Sequence, residues 1–456
     1  MRSRLKLGEK TVLTSSRQVL PFFLPMAASW TFMALEAPVL TFFIARLPNT
    51  NVSLAAFGLT ATLSFAIETP VIGLLSTSTA LSTSKQNFRI VRNFAFWIIA
   101  LVTVCAALFA LTPAYRFVVS DLIGVPHSVE DAARSAMVIM IPWSAGVGFR
   151  RYAQGILIRN GVTAPMSWGT VLRISTMALC AALLARSAKV TGAQLAAYAW
   201  VAGVWAEAAY NQIVVRAVVR RTHALEHEHS AAQPLTYRAI IAYHFPLTAA
   251  NMIWLLSRPI FTWALSASSQ PELKLAGWEA SGQLMFLFRG ASFAMPEAAL
   301  ALAEHDPSGR ITKRFSLQCG LAMACLQFLA ASFQLCWLFY SHVVSIPEET
   351  ARLAVSILII CSPVPFFACY QGYLKGKLSY LRKTGALTVS VGSFVSTVVV
   401  LIAALKILGR VGIEAASIVF VAATVVETWY LHTRLAAESV HELPARSDYP
   451  LAEERT

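Results

Sequence analysis

Apolar residues fall in long runs divided by short polar stretches, near 18–46, 52–83, 92–117, 129–158, 161–187, 190–216, 237–268, 273–304, 314–340, 350–375, 381–406 and 410–436. A bilayer is crossed by roughly 20 helical residues, so each run is long enough to span. Lipid offers no partner to a free peptide group, and each span must close its own backbone hydrogen bonds, which predicts twelve helices. The first run is followed by no small-residue cleavage site and is read as a retained helix. The pattern then repeats. Pro25 matches Pro246, Pro38 matches Pro259, Leu54 matches Leu275 and Phe65 matches Phe286, all at a shift of 221. Gln154-Gly155 matches Gln371-Gly372 at a shift of 217, and Gly192, Glu207 and Tyr210 match Gly412, Glu427 and Tyr430 at 220. Six spans is an even number, so both copies enter the membrane from one side and form parallel repeats. The expected fold is an all-α polytopic membrane protein with a first six-helix lobe over 18–216 and a second over 237–436. The segments 1–17, 217–236 and 437–456 are read as a leading segment, a linker and a tail, all cytoplasmic.

Composition and charge narrow the class. Hydrophobic residues make up 57% of the chain and charged residues only 13%, about half the charge of a soluble domain. With both ends inside, the predicted cytoplasmic segments hold 25 of the 37 Lys and Arg, and the predicted outer loops hold eight. That asymmetry is the positive-inside pattern and points to an inner (plasma) membrane. It accounts for the net charge of +14 without a nucleic-acid partner, since the basic residues are scattered over many loops. His223, His227 and His229 fall in the linker and are read as solvated. The seven cysteines lie in predicted spans without paired spacing and are read as packing residues. No metal-ligand, phosphate-cradling or Asp-rich motif is present, so neither an enzyme nor a cofactor is expected.

Charges inside spans carry the functional signal, because a charge at the centre of a helix costs about 2.5–3.5 kcal/mol on insertion scales and normally faces a cavity or a partner. Glu68 and Arg289 occupy equivalent places in the second and eighth runs. Glu36 and Arg258 are one residue out of equivalence in the first and seventh, each just before the second proline. The first copy thus has acids where the second has bases. In a two-lobed bundle these runs would line the cleft, with Arg258 and Arg289 holding substrate and Glu36 and Glu68 carrying the coupling ion. The bland alternative is that Glu36–Arg258 and Glu68–Arg289 are only inter-lobe ion pairs. Asn251, Trp254 and Gln283 are further candidate linings. Pro38 and Pro259 should kink their helices. Glu207 and Glu427 are read as structural acids at the inner mouth, holding Arg150, Arg151 or Arg159, alongside Gln154 and Gln371.

Two copies of six helices, Pro-kinked first helices and Gln-Gly at the ends of the fourth and tenth resemble the multidrug/oligosaccharidyl-lipid/polysaccharide (MOP) exporter superfamily, which contains the multidrug and toxic compound extrusion (MATE) transporters. "PLTAANMIWLLSRPI" at 246–260 and "SPVPFFACYQGYLKG" at 362–376 resemble the progressive-ankylosis-type proteins. The resemblance implies two lobes that rock to give alternating access, a small-molecule substrate and an H+ or Na+ gradient. The ankylosis-type likeness implies an organic or polyphosphate anion. Typical multidrug members export cations, which fits poorly with two arginines in the second copy. A lipid-linked precursor flippase is the other alternative, but it would want a larger basic lumen. A monomer is expected. Single-cysteine labelling should reach residues 50 and 345 from outside the cell; labelling of either only from the cytoplasm would overturn this topology.

Overall fold

The computed structural model describes residues 13–122, 127–186, 190–225, 235–255, 257–266, 270–344, 346–410 and 412–441. The first half runs α1 (Ser16–Met33), α2 (Glu36–Ile44), α3 (Thr50–Ile72), α4 (Leu74–Leu81), α5 (Lys85–Leu111), the short α6 (Ala114–Arg116), a π-helical turn, α7 (His127–Ile139), α8 (Trp143–Arg159), α9 (Ala164–Leu184) and α10 (Gly192–Leu225). The second half repeats the series: α11 (Tyr237–Leu255), α12 (Ser257–Ser266), α13 (Pro271–Arg289), a 3-10 turn, α14 (Met295–Leu302), α15 (Arg310–Ser332), the short α16 (Leu335–Leu338), a π-helical turn, α17 (Glu348–Ile360), α18 (Val364–Tyr380), α19 (Gly385–Ile407) and α20 (Ile413–His441).

Nine helices among the described residues are long and apolar enough to cross a membrane, and two pairs bent by 46° and 49°, α7–α8 and α17–α18, bring the number to eleven. The twelfth expected span is α10, which has the length at 34 residues but is less apolar, with Glu207, Asn211 and Gln212 in its middle. Large apolar side chains face outward along the spans, Trp97 at 74% and Ile407 at 86% exposure among them, as lipid contact requires.

Proline sets the breaks. Pro38 has no N–H and its ring clashes with the carbonyl one turn back; α1 stops at Met33 and α2 restarts at Glu36. Pro142 and Pro363 sit at the bends before α8 and α18. The side chains of Arg258 and Pro259 lie outside the described residues, as do residues 1–12, 226–234 with His227 and His229, and 442–456.

The structure corrects one register. α8 and α18 start at Trp143 and Val364, 221 apart, so Gln154 corresponds to Lys375 and Arg150 to Gln371, rather than Gln154 to Gln371. The contacts agree. A Cβ on Gly155 would meet Leu75 O and Ser78, and one on Gly376 would meet Pro296 O and Ala299, the same places 221 residues on. Ser167 Oγ donates to Pro25 O (2.6 Å) and Thr388 Oγ1 to Pro246 O (2.8 Å), again matched.

The lobes are joined toward one end. There Arg159 pairs with Glu304 at 3.1 Å, Leu13 N–H donates to His305 O at 2.9 Å, and Phe23 and Trp30 pack on Phe315 and Phe293. One apolar core runs through the first lobe into residues 291–302 and 373–387 of the second. The opposite ends keep separate cores, around Tyr115 and Met137 in one lobe and around Phe261, Ile357 and Phe394 in the other.

Gly155→Ala and Gly376→Ala should each cost about 1–3 kcal/mol by overpacking against backbone. Gly282→Ala, which has open space around it, should be within about 0.5 kcal/mol of wild type. Thermal unfolding midpoints in detergent would check this; equal midpoints for all three would contradict the packing.

Candidate functional site

The break before α2 makes Glu36 the first helical residue, where free backbone N–H groups and the helix dipole favour an acid. Its carboxylate is buried. Arg173 of α9 donates through Nη2 to Oε1, and Trp200 of α10 donates through Nε1 to Oε2 at 3.2 Å. Arg173, 1% exposed, also pairs through Nε with Glu207 Oε2 at 3.2 Å. Glu207, fully buried on α10, further accepts from Arg150 Nη1 at 3.2 Å and from Gln154 Nε2 at 3.0 Å. The chain Glu36–Arg173–Glu207–Arg150 therefore ties α2, α8, α9 and α10 together inside the first lobe.

Glu68 of α3 stands beside this chain. It accepts from Trp143 Nε1 at 2.5 Å. Trp143 packs on Trp200 with centroids 5.2 Å apart, so a tilted indole pair bridges the two acids, each ring donating to one carboxylate. Phe57 and Phe65 close on Trp200 at 5.0 and 5.9 Å. Around this chain the lobe thus holds three acids, Glu36, Glu68 and Glu207, and three arginines, Arg150, Arg151 and Arg173, all buried, while Glu130 is buried apart from them on α7 against His127. Two of each are joined in ion pairs. Glu68 and Arg151 are in none of the described ion pairs; Arg151 lies over the Trp30 ring at 4.6 Å.

The second lobe differs at matched places. Phe394 stands where Arg173 does, 221 residues earlier. It packs on Phe420 at 5.7 Å, beside a stacked Phe261–Trp278 pair at 4.9 Å. Arg289 ends α13, half-buried, with Nε buried and without a hydrogen-bond partner. Its guanidinium lies 5.6 Å from the Phe293 ring centroid. Phe293 meets Trp30 across the lobe boundary at 5.2 Å, so Arg151 and Arg289 flank one aromatic pair. Glu427 pairs with Lys375 at 2.8 Å and accepts from Ser390 at 3.3 Å; Gln371 donates to Thr428 Oγ1 and to Thr424 O, each at 3.0 Å.

The sequence-derived residues therefore fall in three groups. Glu36, Glu68, Glu207 and Gln154 are together in the first lobe; Glu427 and Gln371 brace α18 to α20 and α19; Arg289 is at the lobe boundary. Asn251 is half-buried and Trp254 and Gln283 are exposed, with no described bond bringing them to Arg289. Glu68 and Arg289 form none of the described ion pairs, because Glu68 is turned onto Trp143 of its own lobe. Glu36 is likewise held within its lobe by Arg173. Among the described residues, both acids are thus engaged inside their own lobe, Glu36 by Arg173 and Trp200 and Glu68 by Trp143. Sequence reasoning missed Arg173, Trp143 and Trp200. Arg173 is a lone charge in an apolar run, the same signal that flagged Glu68.

Removing Arg173 alone leaves two buried carboxylates short of a counter-charge. Arg173→Met should cost about 3–5 kcal/mol, and Glu36→Gln added to it should recover part of that loss. Unfolding midpoints of the single and double variants decide it; a single variant as stable as wild type would remove the network from the account.

No family model and no curated protein matches the chain. Solved structures do. A MOP superfamily transporter from Pyrococcus furiosus aligns over 96% of this chain and 99% of its own, at TM-score 0.71 and 13% identity. A mutant of the Vibrio cholerae MATE transporter VcmN aligns over 92% of this chain and 97% of its own, at TM-score 0.73 and 17% identity. The eukaryotic MATE transporter AtDTX14 aligns over 92% and 95%, at TM-score 0.70 and 12% identity. The chain has a MATE-like fold.

Proposed function

We propose that the protein is a secondary active exporter that works by alternating access of its two lobes, exports an organic or polyphosphate anion, and couples this to a proton or sodium gradient. The fold supports the transport reading. Lobes joined at one end and separate in core at the other suit a rocking pair. With the sequence-derived topology, the joined end is cytoplasmic and the cleft faces out of the cell.

The observation that carries the anion is Arg289. The arginines of the first lobe that face Glu36 and Glu207 are already neutralised. Arg289 has a buried, unpartnered Nε and sits at the lobe boundary on an aromatic face. A planar guanidinium in that state suits a carboxylate or phosphate, which it can grip in two places. Arg258 is proposed as its companion from α12. The Pyrococcus fold neighbour is described as having a binding pocket of reverse polarity that suggests a different function, so this fold admits pockets of either sign. Glu68 is the proposed coupling acid, since it alone of Glu36, Glu68 and Glu207 has no described ion pair; Glu36 is the second candidate. A cation exporter is the other reading the fold allows. It would use the same acids as its site, and Glu36 is held by Arg173 against that use.

Flux of labelled di- and tricarboxylates and pyrophosphate into proteoliposomes, under imposed proton or sodium gradients, tests both parts. Arg289→Gln should weaken anion binding by about 2 kcal/mol or more, roughly thirtyfold, and Lys should not restore it. Glu68→Gln should keep binding and lose gradient-driven flux. Normal anion flux in Arg289→Gln, or flux of organic cations alone, would overturn the reading.

A further inference from the structure

Three hydrogen bonds cross between the lobes onto the short stretch where α3 gives way to α4. Ser76 Oγ donates to Glu297 Oε1 at 3.2 Å. His244 Nε2 lies 2.9 Å from Pro70 O and Nδ1 lies 2.9 Å from Thr77 Oγ1. Ser76 and Glu297 are 221 residues apart, so each occupies the other's place in its own lobe. Their bond crosses the axis relating the two lobes. His244 likewise stands where Phe23 stands: Phe23 packs edge-on against Phe315 at 5.1 Å, and His244 against Phe94 at 5.2 Å.

Glu297 is the odd group here. It is buried, and its Oε2 has no hydrogen-bond partner. Arg151 of α8 is the cation that faces it, but the two form none of the described ion pairs and Arg151 is spread over Trp30. Tyr243 and His244 face the junction from α11. From α4 come hydroxyls alone. On α18, Lys375 is taken by Glu427 and Lys377 by Asp306 O; on α15, Lys313 lies against Tyr370. A carboxylate in that setting keeps neutral donors alone, Ser76 and its own backbone N–H in the first turn of α14, and one buried oxygen without a partner, whereas a carboxylic acid avoids burying an unpaired charge.

We propose that Glu297 is a proton-binding gate residue, which holds its proton while the lobes are joined at this end and releases it when they part. The proposal rests on the alternating-access reading. Parting withdraws Ser76 and admits water; the O–H bond of the acid breaks, the proton passes to water at the opening end, and the carboxylate is left hydrated beside Arg151. The joined state then holds one more proton than the parted state. Lower pH favours the joined state, and rising pH favours parting by up to about tenfold per pH unit.

Hydrogen exchange of the full chain in nanodiscs, followed by mass spectrometry without substrate and corrected for intrinsic exchange rates, reads this directly. Amides of 70–81 and 291–302 should lose protection as pH rises, by up to about tenfold per unit over the responsive range. Glu297→Gln should stay protected with no pH step. His244→Phe, which copies the residue at the matched place, should keep the step. A wild type without a step, or a step that survives in Glu297→Gln, would overturn the proposal. Should Glu297→Gln fail to fold, loss of the step in His244→Phe would assign the proton to the histidine instead. Because no substrate is used, failure of the anion assay leaves this result standing.

Discussion

Burying three arginines beside Glu36, Glu68 and Glu207 in one six-helix lobe is the constraint from which most of this architecture follows. Each ion costs several kcal/mol to remove from water, and the cost is met only where geometry lets opposite charges and neutral donors converge. Convergence here needs breaks in the helices. Without the interruption before α2, Glu36 would lie mid-helix; with it, the acid takes a helix N-terminus and meets Arg173 and Trp200. Without the bend before α8, Trp143 could not begin a helix while donating to Glu68. Four helices fixed to one another by such a network suit movement as a unit, which rigid-body rocking requires.

The second lobe shows that the backbone plan does not depend on that chemistry. Its helices break before α14, α16 and α18 as the first lobe's do before α4, α6 and α8, yet the interior around Phe394 is aromatic, with Phe261, Trp278 and Phe420 packed at centroid distances of 4.9 to 6.2 Å. Aromatic packing there fills the volume that ion pairs fill in the first lobe. The duplicated scaffold therefore carries an acid-rich, internally neutralised half and an apolar half with Arg289 at its edge.

Helix count, parallel duplication and the break at Pro38 were legible in the sequence because each has a local physical cause: run length, an even number of spans, a missing N–H. The polar wiring was not. A helix repeats its facing residues about every four positions, so matching Gln154 to Gln371 slips α8 by one turn, about 6 Å, while keeping the same face. Sequence identity cannot see that slip; the contacts of Gly155 and Gly376 can. Glu36 and Glu68 were flagged because a charge in an apolar run stands out. Symmetry offers them only the arginines of the other lobe, whereas Glu36 meets Arg173 within its own. Trp143 and Trp200 were unreadable for another reason: a Trp in a membrane span is as well placed at an interface as in a core, and only the structure shows its N–H on a buried acid.

What remains unpaired after this wiring is informative. Among the described inward-facing charges, Glu68 and Arg151 of the first lobe and Arg289 and Glu297 of the second are in no described ion pair. Arg151 and Glu297 face each other where the lobes join, and Arg151 and Arg289 flank the Trp30–Phe293 contact across the boundary. Charges neutralised within a lobe keep the same partner whichever way the lobes tilt, so they can bias neither state. Only groups whose surroundings change as the lobes move have differential free energy between the two states, and only such groups can link a ligand or a proton to the motion. Arg151, Arg289 and Glu297 meet that condition by position, which is why the intra-lobe network, though it holds most of the buried charge, is better suited to stiffness than to coupling.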